Sequence, residues 1–397
     1  MDARAIIQAE QDYVVQTYVR PDFVLTRGHG MTVYDSEGRS YQDWVAGIAV
    51  NALGYGDRGI LEAMQKQAET GLVHTSNLYH TEPHTRLASQ LVAKSFADRV
   101  FFCNSGAEAN EGALKFARRM AHDSGNPQKT RVVTFENAFH GRTLAALSIT
   151  PKSKYQVPFK PLMPDVLVGR YNDLSNADNL IDDSTAAVIV EPIQGEGGIN
   201  LASAEFLRGL RELCDKHQAV LIFDEVQCGM GRTGYLWGHE AVGVTPDIMT
   251  IAKPLAAGLP IGAILCTQSV ADHLKPGDHG STFAGGPLVT SVADYVLGRV
   301  SDNEFLAHVA GVGEYLLERL SEVNSPLIVD VRGRGLMCAL ELSIEVAPVI
   351  KAGYKHGLLL VNAGTHVIRL VPPLIATHQD VDYLVQRLTS ILKDVSA

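Results

Sequence analysis

The feature that most narrows the fold is an alternation. From about residue 84 to 300, short β-branched apolar runs take turns with amphipathic stretches. Parallel strands need long crossover connections and a sheet buried on both faces, so this pattern predicts a mostly parallel sheet covered by helices. Strands are expected at 99–103, 131–135, 186–191, 219–224, 247–252 and 261–266. Helices are expected over 106–122, where Ala109, Ala113, Leu114, Phe116, Ala117 and Met120 share one face, and over 204–217, where Phe206, Leu207, Leu210, Leu213 and Cys214 do. After residue 300 the pattern changes to helices over 304–323, 345–356 and about 378–395, with short strands at 327–331, 338–342, 358–361 and 367–371. Near the N-terminus, Glu37-Gly38 reads as the turn of a hairpin between 32–34 and 40–43. The expected fold is α/β. Its large domain spans 61–300, a smaller α+β domain spans 301–397, and an N-terminal arm, 1–60, packs with the smaller domain. With no internal repeat, low-complexity tract or Gly/Ser linker, the domains should pack closely.

Composition limits the function. Of 397 residues, 46% are apolar, enough for a sizeable core, and 34 basic against 44 acidic residues give a net charge of −10. No basic tract is long enough to follow a phosphate backbone, which argues against a nucleic-acid partner. The uncharged apolar stretch 254–271 contains Pro254 and Pro260 and turns polar at Thr267, Gln268 and Ser269, so it is a poor membrane span. Asp2, Glu10 and Asp12 interrupt the first twenty residues, and no secretory signal is visible. A cytoplasmic location is expected. The five cysteines form no Cys-x-x-Cys pair and lie mostly in apolar runs, the pattern of buried reduced thiols.

Three places could carry chemistry. The run Ala-Val-Leu-Ile-Phe ends in Asp224, followed by Glu225-Val226-Gln227. A carboxylate leaving a buried strand calls for a cation or donor there, since ligands of open α/β sheets gather at the carboxyl ends of strands; a turn-capping Asp is the alternative. Twenty-nine residues on, the run from Asp247 ends in Lys253, before Pro254 and Gly258. A desolvated lysine becomes a nucleophile able to form a Schiff base; a snorkelling lysine is the alternative. Asn104-Ser105-Gly106-Ala107-Glu108 follows a strand and opens a helix, which makes a phosphate cup and equally a capping box, Ser105-x-x-Glu108.

Other motifs fall away. Gly229-Met-Gly231-Arg-Thr-Gly234 matches Gly-x-Gly-x-x-Gly, but four residues separate it from the strand and Tyr235-Leu-Trp237-Gly238 follows in place of a helix, so it is no nicotinamide site. His74, His80 and His84 surround a Pro83-containing loop without a thiolate pair, and no metal site is expected.

Together, Asp224, Lys253 and the Ser105 loop offer what pyridoxal 5′-phosphate requires: a pyridinium partner, a Schiff-base lysine and a phosphate cradle. The chain resembles the class III aminotransferases of the fold-type I pyridoxal phosphate group, and among them the acetylornithine aminotransferases. The likeness is carried by Gly47-Ile-Ala-Val-Asn-Ala-Leu-Gly54, 104–110, Phe139-His-Gly-Arg-Thr143, Glu191-Pro-Ile-Gln-Gly-Glu-Gly-Gly198, 223–227, 252–255, His279-Gly-Ser-Thr-Phe283 and Ile368-Arg-Leu370. One departure is Ala284-Gly-Gly-Pro287, where many relatives have Gly-Gly-Asn-Pro.

The resemblance implies roles. Lys253 would hold the cofactor and shuttle the substrate proton; Asp224 would keep the ring nitrogen protonated. Val226 and Phe139 would sandwich the ring, Gln227 would meet its phenolic oxygen, and Gly106 and Ala107 would bind phosphate, with Ser105 and Glu225 in the same cofactor-binding set. Thr282 would reach the phosphate of a neighbouring subunit's cofactor, with Ser281 near substrate, which implies a homodimer. Arg142 would grip the remote substrate carboxylate and Arg369 the α-carboxylate of glutamate or 2-oxoglutarate, while Glu196 would pair with Arg369 when a terminal-amine substrate is bound. The implied reaction moves the δ-amino group of N-acetylornithine to 2-oxoglutarate. Gly47 and Ile48, where ornithine aminotransferases carry an aromatic residue, favour an acylated substrate. The alternatives are succinylornithine, ornithine, 4-aminobutyrate or an acylated aminoadipate semialdehyde as the exchanged partner.

Overall fold

A computed structural model describes residues 2–396. Its centre is a seven-stranded sheet in the order Arg99–Cys103, Gly262–Cys266, Ile248–Ile251, Val220–Asp224, Thr185–Val190, Arg131–Phe135, Val166–Gly169. Only Gly262–Cys266 runs against the others, pairing antiparallel with both neighbours. The expected strands are present within one or two residues. The Val166–Gly169 edge strand was not anticipated, because four residues between Asp165 and Arg170 give too short a pattern to read.

Side-chain alternation divides the sheet between two cores. Val220 and Ile222 face a cluster with Ile189, Ile248, Ala113 and Leu114, on the side of helix Gly106–Asp123. Leu221 and Phe223 face the other way, against Phe206, Leu207 and Leu210 of helix Ala204–His217. Each fully buried side chain of this size contributes roughly 1.5–3 kcal/mol. Ser105 and Ser203 cap these helices, their hydroxyls accepting from the N–H groups of Glu108 and Phe206.

A helix not foreseen from the sequence, Pro287–Val300, packs against Arg58–Glu69 and Glu82–Ala93 and buries Val292, Ala293, Val296 and Leu297. The C-terminal region carries an antiparallel sheet, Ile328–Arg334, Met337–Leu342, Val367–Leu370 and Val361–Asn362. The strand expected over 358–361 is in fact two: Leu358–Leu359 leaves this sheet and pairs in parallel with Ser40–Asp43 of the N-terminal hairpin. One continuous apolar cluster joins Trp44, Leu87, Val296, Leu316, Leu340 and Leu388, so the regions share a core. All five cysteines are buried and free. Among the described residues, no helix is long and apolar enough to cross a membrane.

Candidate active site

The parallel strands deliver their carboxyl ends to one edge of the sheet, where 104–107, 139–142, 224–227 and 252–261 enclose a cavity of about 420 Å³, within the usual range for small-molecule sites, roughly 300–1,000 Å³. Asp224, the last residue of its strand, is 3% exposed. Its Oδ2 accepts from Asn110 Nδ2 at 2.7 Å and His140 Nδ1 at 2.7 Å, and its Oδ1 from the Val226 N–H at 3.0 Å. Asn110 is itself held by Thr250, whose hydroxyl donates to Asn110 Oδ1 at 2.7 Å. Two side-chain donors and one amide thus fix the carboxylate.

Lys253 lines the same cavity, and its side chain makes no hydrogen bond with the described residues. Burial lowers its pKa; Glu196 and Asp224 oppose that shift and Arg369 adds to it. Its backbone sits at φ +30°, and Ala257, four residues on, at +44°. Such left-handed strain persists where surrounding structure over-determines it, as at binding sites.

The Ser105 loop serves as both cap and open helix end. Ser105 Oγ accepts from Glu108, whose own carboxylate reaches back to the Asn104 N–H at 2.6 Å, one residue before the expected capping-box partner. The N–H groups of Gly106 and Ala107 lie in the first helical turn, which has no intrahelical acceptors. A Cβ on Gly106 would stand 2.7 Å from Val226 Cγ1, so glycine lets the helix end approach the Val226 side chain. Phe139 completes the wall, its N–H donating to Glu191 at 3.1 Å. Burial raises the Glu191 pKa to about 7; nearby Asp224 adds to the rise, while His140 and the Gly195 and Phe139 amides counter it.

A second, outward cavity of about 1,580 Å³ is bordered by Ile48, Lys152, Tyr155, Glu196 and Arg369. Arg369, 1% exposed, donates through Nη1 to Glu196 Oε1 and to Gln227 Oε1, the latter at 3.0 Å. Gln227 lines the inner cavity, so this bond links the two spaces. Burial alone would raise the Glu196 pKa, but the charge and hydrogen bond of Arg369 overcome it and leave the carboxyl below its ordinary value. Arg142 is exposed and lies over the Tyr155 ring, 3.5 Å from its centroid, with Phe139 at 5.7 Å. Residues 46–49 all have positive φ, including Ile48 at +65°, an outlier for a β-branched residue.

The structure thus gathers Asp224, Lys253, Ser105, Gly106, Ala107, Phe139, Arg142, Val226 and Gln227 around the inner cavity and Glu196 and Arg369 around the outer one. Glu225, expected in the cofactor-binding set, lines neither cavity; its buried carboxylate accepts from the N–H groups of Gly238 and His239 and from the His239 ring at 2.7 Å. A buried carboxylate requires such donors, and here they lie away from the cavities. Ser281 and Thr282 also line neither cavity of this chain; Ser281 Oγ accepts from Asn104 Nδ2 at 3.0 Å and Thr282 is exposed. Asn110, His140, Glu191, Lys152 and Tyr155 were not singled out individually. Asn110, His140 and Glu191 lie within the segments that carry the family likeness, but their convergence on Asp224 comes from the sheet topology.

The residues fit pyridoxal 5′-phosphate: an open helix end for an anion, a fixed carboxylate for a ring cation and an unpaired amine line one cavity. They define a fold-type I pyridoxal phosphate-dependent transferase. The aminotransferase class-III family model matches residues 13–392. A mitochondrial acetylornithine aminotransferase of Alnus glutinosa is 48% identical, covering 98% of this chain and 88% of its own length. A succinylornithine transaminase of Salmonella enteritidis is 46% identical, covering 93% and 92%. Among solved structures, the ornithine aminotransferase of Toxoplasma gondii with partial occupancy of PLP at its active site superposes with a TM-score of 0.94 at 32% identity, covering 99% and 95%. The chain belongs to the class III aminotransferases and is a pyridoxal 5′-phosphate-dependent enzyme.

Proposed function

We propose that this aminotransferase moves the δ-amino group of N-acetylornithine to 2-oxoglutarate, giving N-acetylglutamate semialdehyde and glutamate, as a step of arginine metabolism. The observation that carries the reading is the buried Arg369–Glu196 pair beside Lys253. An arginine neutralised by an internal carboxylate suits a substrate that brings an uncharged chain next to its reacting amine, and the same arginine, released, suits an α-keto acid. Arg142 would hold the far carboxylate in both halves of the cycle. The strained wall at Gly47 and Ile48 would face the acyl group.

When bound, pyridoxal phosphate supplies the electron sink for the substrate carbanion. Lys253 would hold the cofactor and, once freed, take and return the substrate proton at Nζ, a task helped by its burial-lowered pKa. Asp224 would keep a proton on the ring nitrogen, oriented by Asn110 and His140. Val226 and Phe139 would confine the ring, Gln227 would hydrogen-bond its oxygen, and Gly106 and Ala107 with Ser105 would receive the phosphate. Thr282 of a second copy would join that phosphate, with Ser281 near substrate, in a homodimer. This reading is supported by exposed Leu78, Tyr79 and Phe283, on segments tied together by the Asn77–Ser281 hydrogen bond, which a second copy would cover. We read three units along the chain, 1–60, 61–300 and 301–397, and assign the enzyme to the cytoplasm, without nucleic-acid or membrane partners.

The test is stopped-flow absorbance of the holoenzyme mixed separately with N-acetylornithine, succinylornithine, ornithine and 4-aminobutyrate. Rapid loss of the yellow form with N-acetylornithine, and at least about tenfold slower loss with the free amines, is expected. Preference for ornithine or 4-aminobutyrate would overturn the acylated substrate.

A further inference from the structure

Pairing with Arg369 solves the charge problem of Glu196 in only one half of the proposed cycle. The Glu196 side chain is 25% exposed and sits beside a guanidinium that is 1% exposed. When Arg369 turns to a substrate carboxylate, Glu196 remains an anion in a largely enclosed site, and an uncompensated charge there is costly.

Apart from Arg369, the cations that act on Glu196 are Lys253, which the chemistry occupies, and Lys152. Lys152, the residue before the short helix Ser153–Gln156, donates through Nζ to the main-chain carbonyl of Glu196 at 3.1 Å. Among the described residues this is the only hydrogen bond of its side chain, and no carboxylate pairs with it. An ammonium has three donors, so two are unspent. Burial lowers the Lys152 pKa; Glu196 is the strongest charge opposing that shift, ahead of Glu191, while Arg369 and Arg142 add to it. A cation on which the charges of Arg369 and Arg142 already act unfavourably gains from an anion that comes to it. Because Nζ rests against the carbonyl of Glu196 itself, a change between staggered rotamers would carry the carboxylate toward Lys152 with the main chain in place.

We propose that Lys152 is the alternative partner of the Glu196 carboxylate during the 2-oxoglutarate half-reaction, so that the switch exchanges one ion pair for another and frees Arg369 for the keto acid. The proposal rests on the reading of Arg369 given above. Lys152 touches no reacting atom in this scheme and acts as a positioning residue.

The test compares holoenzymes carrying Lys152→Gln, Lys152→Met, Lys152→Arg and Arg369→Ala. Three quantities are measured: the KM and maximal rate of each half-reaction in single turnover, and the calorimetric Kd of glutarate, a dicarboxylate that cannot react. Lys152→Gln keeps a donor for the Glu196 carbonyl, so at least one neutral variant should retain the fold. For both neutral variants, glutarate Kd and the 2-oxoglutarate KM should rise about tenfold, against a much smaller change with N-acetylornithine, and Lys152→Arg should restore most of the loss. Unchanged glutarate binding in folded neutral variants overturns the proposal. Equal losses in both half-reactions do so too, as does a loss confined to N-succinylornithine, which would give the ammonium to an acyl carboxylate. Arg369→Ala separates the layers. If it leaves glutarate binding intact, the reading of Arg369 fails; if it weakens binding while the Lys152 variants do not, only the exchange of partners fails.

Discussion

The inner and outer cavities are built on opposite terms. Around the inner one, every charged acceptor is held by several donors: Asp224 by Asn110, His140 and the Val226 amide, Glu191 by the Phe139 and Gly195 amides. Around the outer one, charges lean on single or exchangeable partners, Glu196 on Arg369 and Lys152 on one carbonyl, while Arg142 of the inner wall is exposed and lies over Tyr155, which borders the outer cavity. A reaction centre benefits from groups that do not reorganise, whereas a site that must accept an amine and then a keto acid benefits from pairs that can be traded. The difference assigns chemistry to the rigid region and selection to the adjustable one.

Removing the reactive group should have the largest effect. Lys253→Ala should lower the single-turnover rate by roughly 10⁴-fold or more with every amine donor, since both the nucleophile and the proton carrier are lost. A variant retaining wild-type turnover would remove Lys253 from the chemistry. Asp224→Asn keeps the shape but takes away the charge and turns an amide toward the donors of Asn110 or His140. An opposite charge at such a site shifts a pKa by about 1–3 units, so a loss of about 10²-fold is expected in both half-reactions alike, measured by stopped flow. A loss in one half-reaction only would move Asp224 out of the rigid group.

Glu191 tests the rigid region through stability. Its folded pKa of about 7 lies above the ordinary 4.5, so its stabilising contribution is fully present below about 4.5 and is lost as pH rises through about 7. At about 1.4 kcal/mol per unit, that is of the order of 3–4 kcal/mol. The melting temperature should fall from pH 5 to pH 8, and by less in Glu191→Gln, which cannot titrate. Equal slopes for the two proteins would show that Glu191 does not carry the effect.

Legibility in the sequence follows the same division. Strands Arg99–Cys103 and Arg131–Phe135 and helix Ala204–His217 were readable to the residue, because their apolar spacing is unbroken and turn or cap residues bound them. Asp224 and Lys253 were readable because a charge ending an apolar strand is locally anomalous. The partners of the Glu225 carboxylate are not legible from its neighbours: side chains next to each other at a strand end point to opposite sides, and its donors come from Gly238 and His239, thirteen and fourteen residues on. Helix Pro287–Val300 is apolar on most sides, so its period is faint. Asn110 lies 114 residues from Asp224, and the Lys152 contact to Glu196 spans 44, distances that only the sheet topology closes.

The smallest effect should come from the support beneath Arg142. Its guanidinium lies 3.5 Å from the centroid of the Tyr155 ring, and an exposed cation–π contact is worth about 0.5–1 kcal/mol. Tyr155→Leu should therefore raise KM by only about two- to fivefold, while Tyr155→Phe, which keeps the ring, should stay near wild type. The informative part is the symmetry of the loss. If Arg142 anchors the remote carboxylate of both substrates, KM for N-acetylornithine and for 2-oxoglutarate should rise together, in contrast to the one-sided response expected of Arg369 and Lys152. A rise with one substrate alone would place Arg142 among the exchanging groups and leave substrate selection without a fixed anchor.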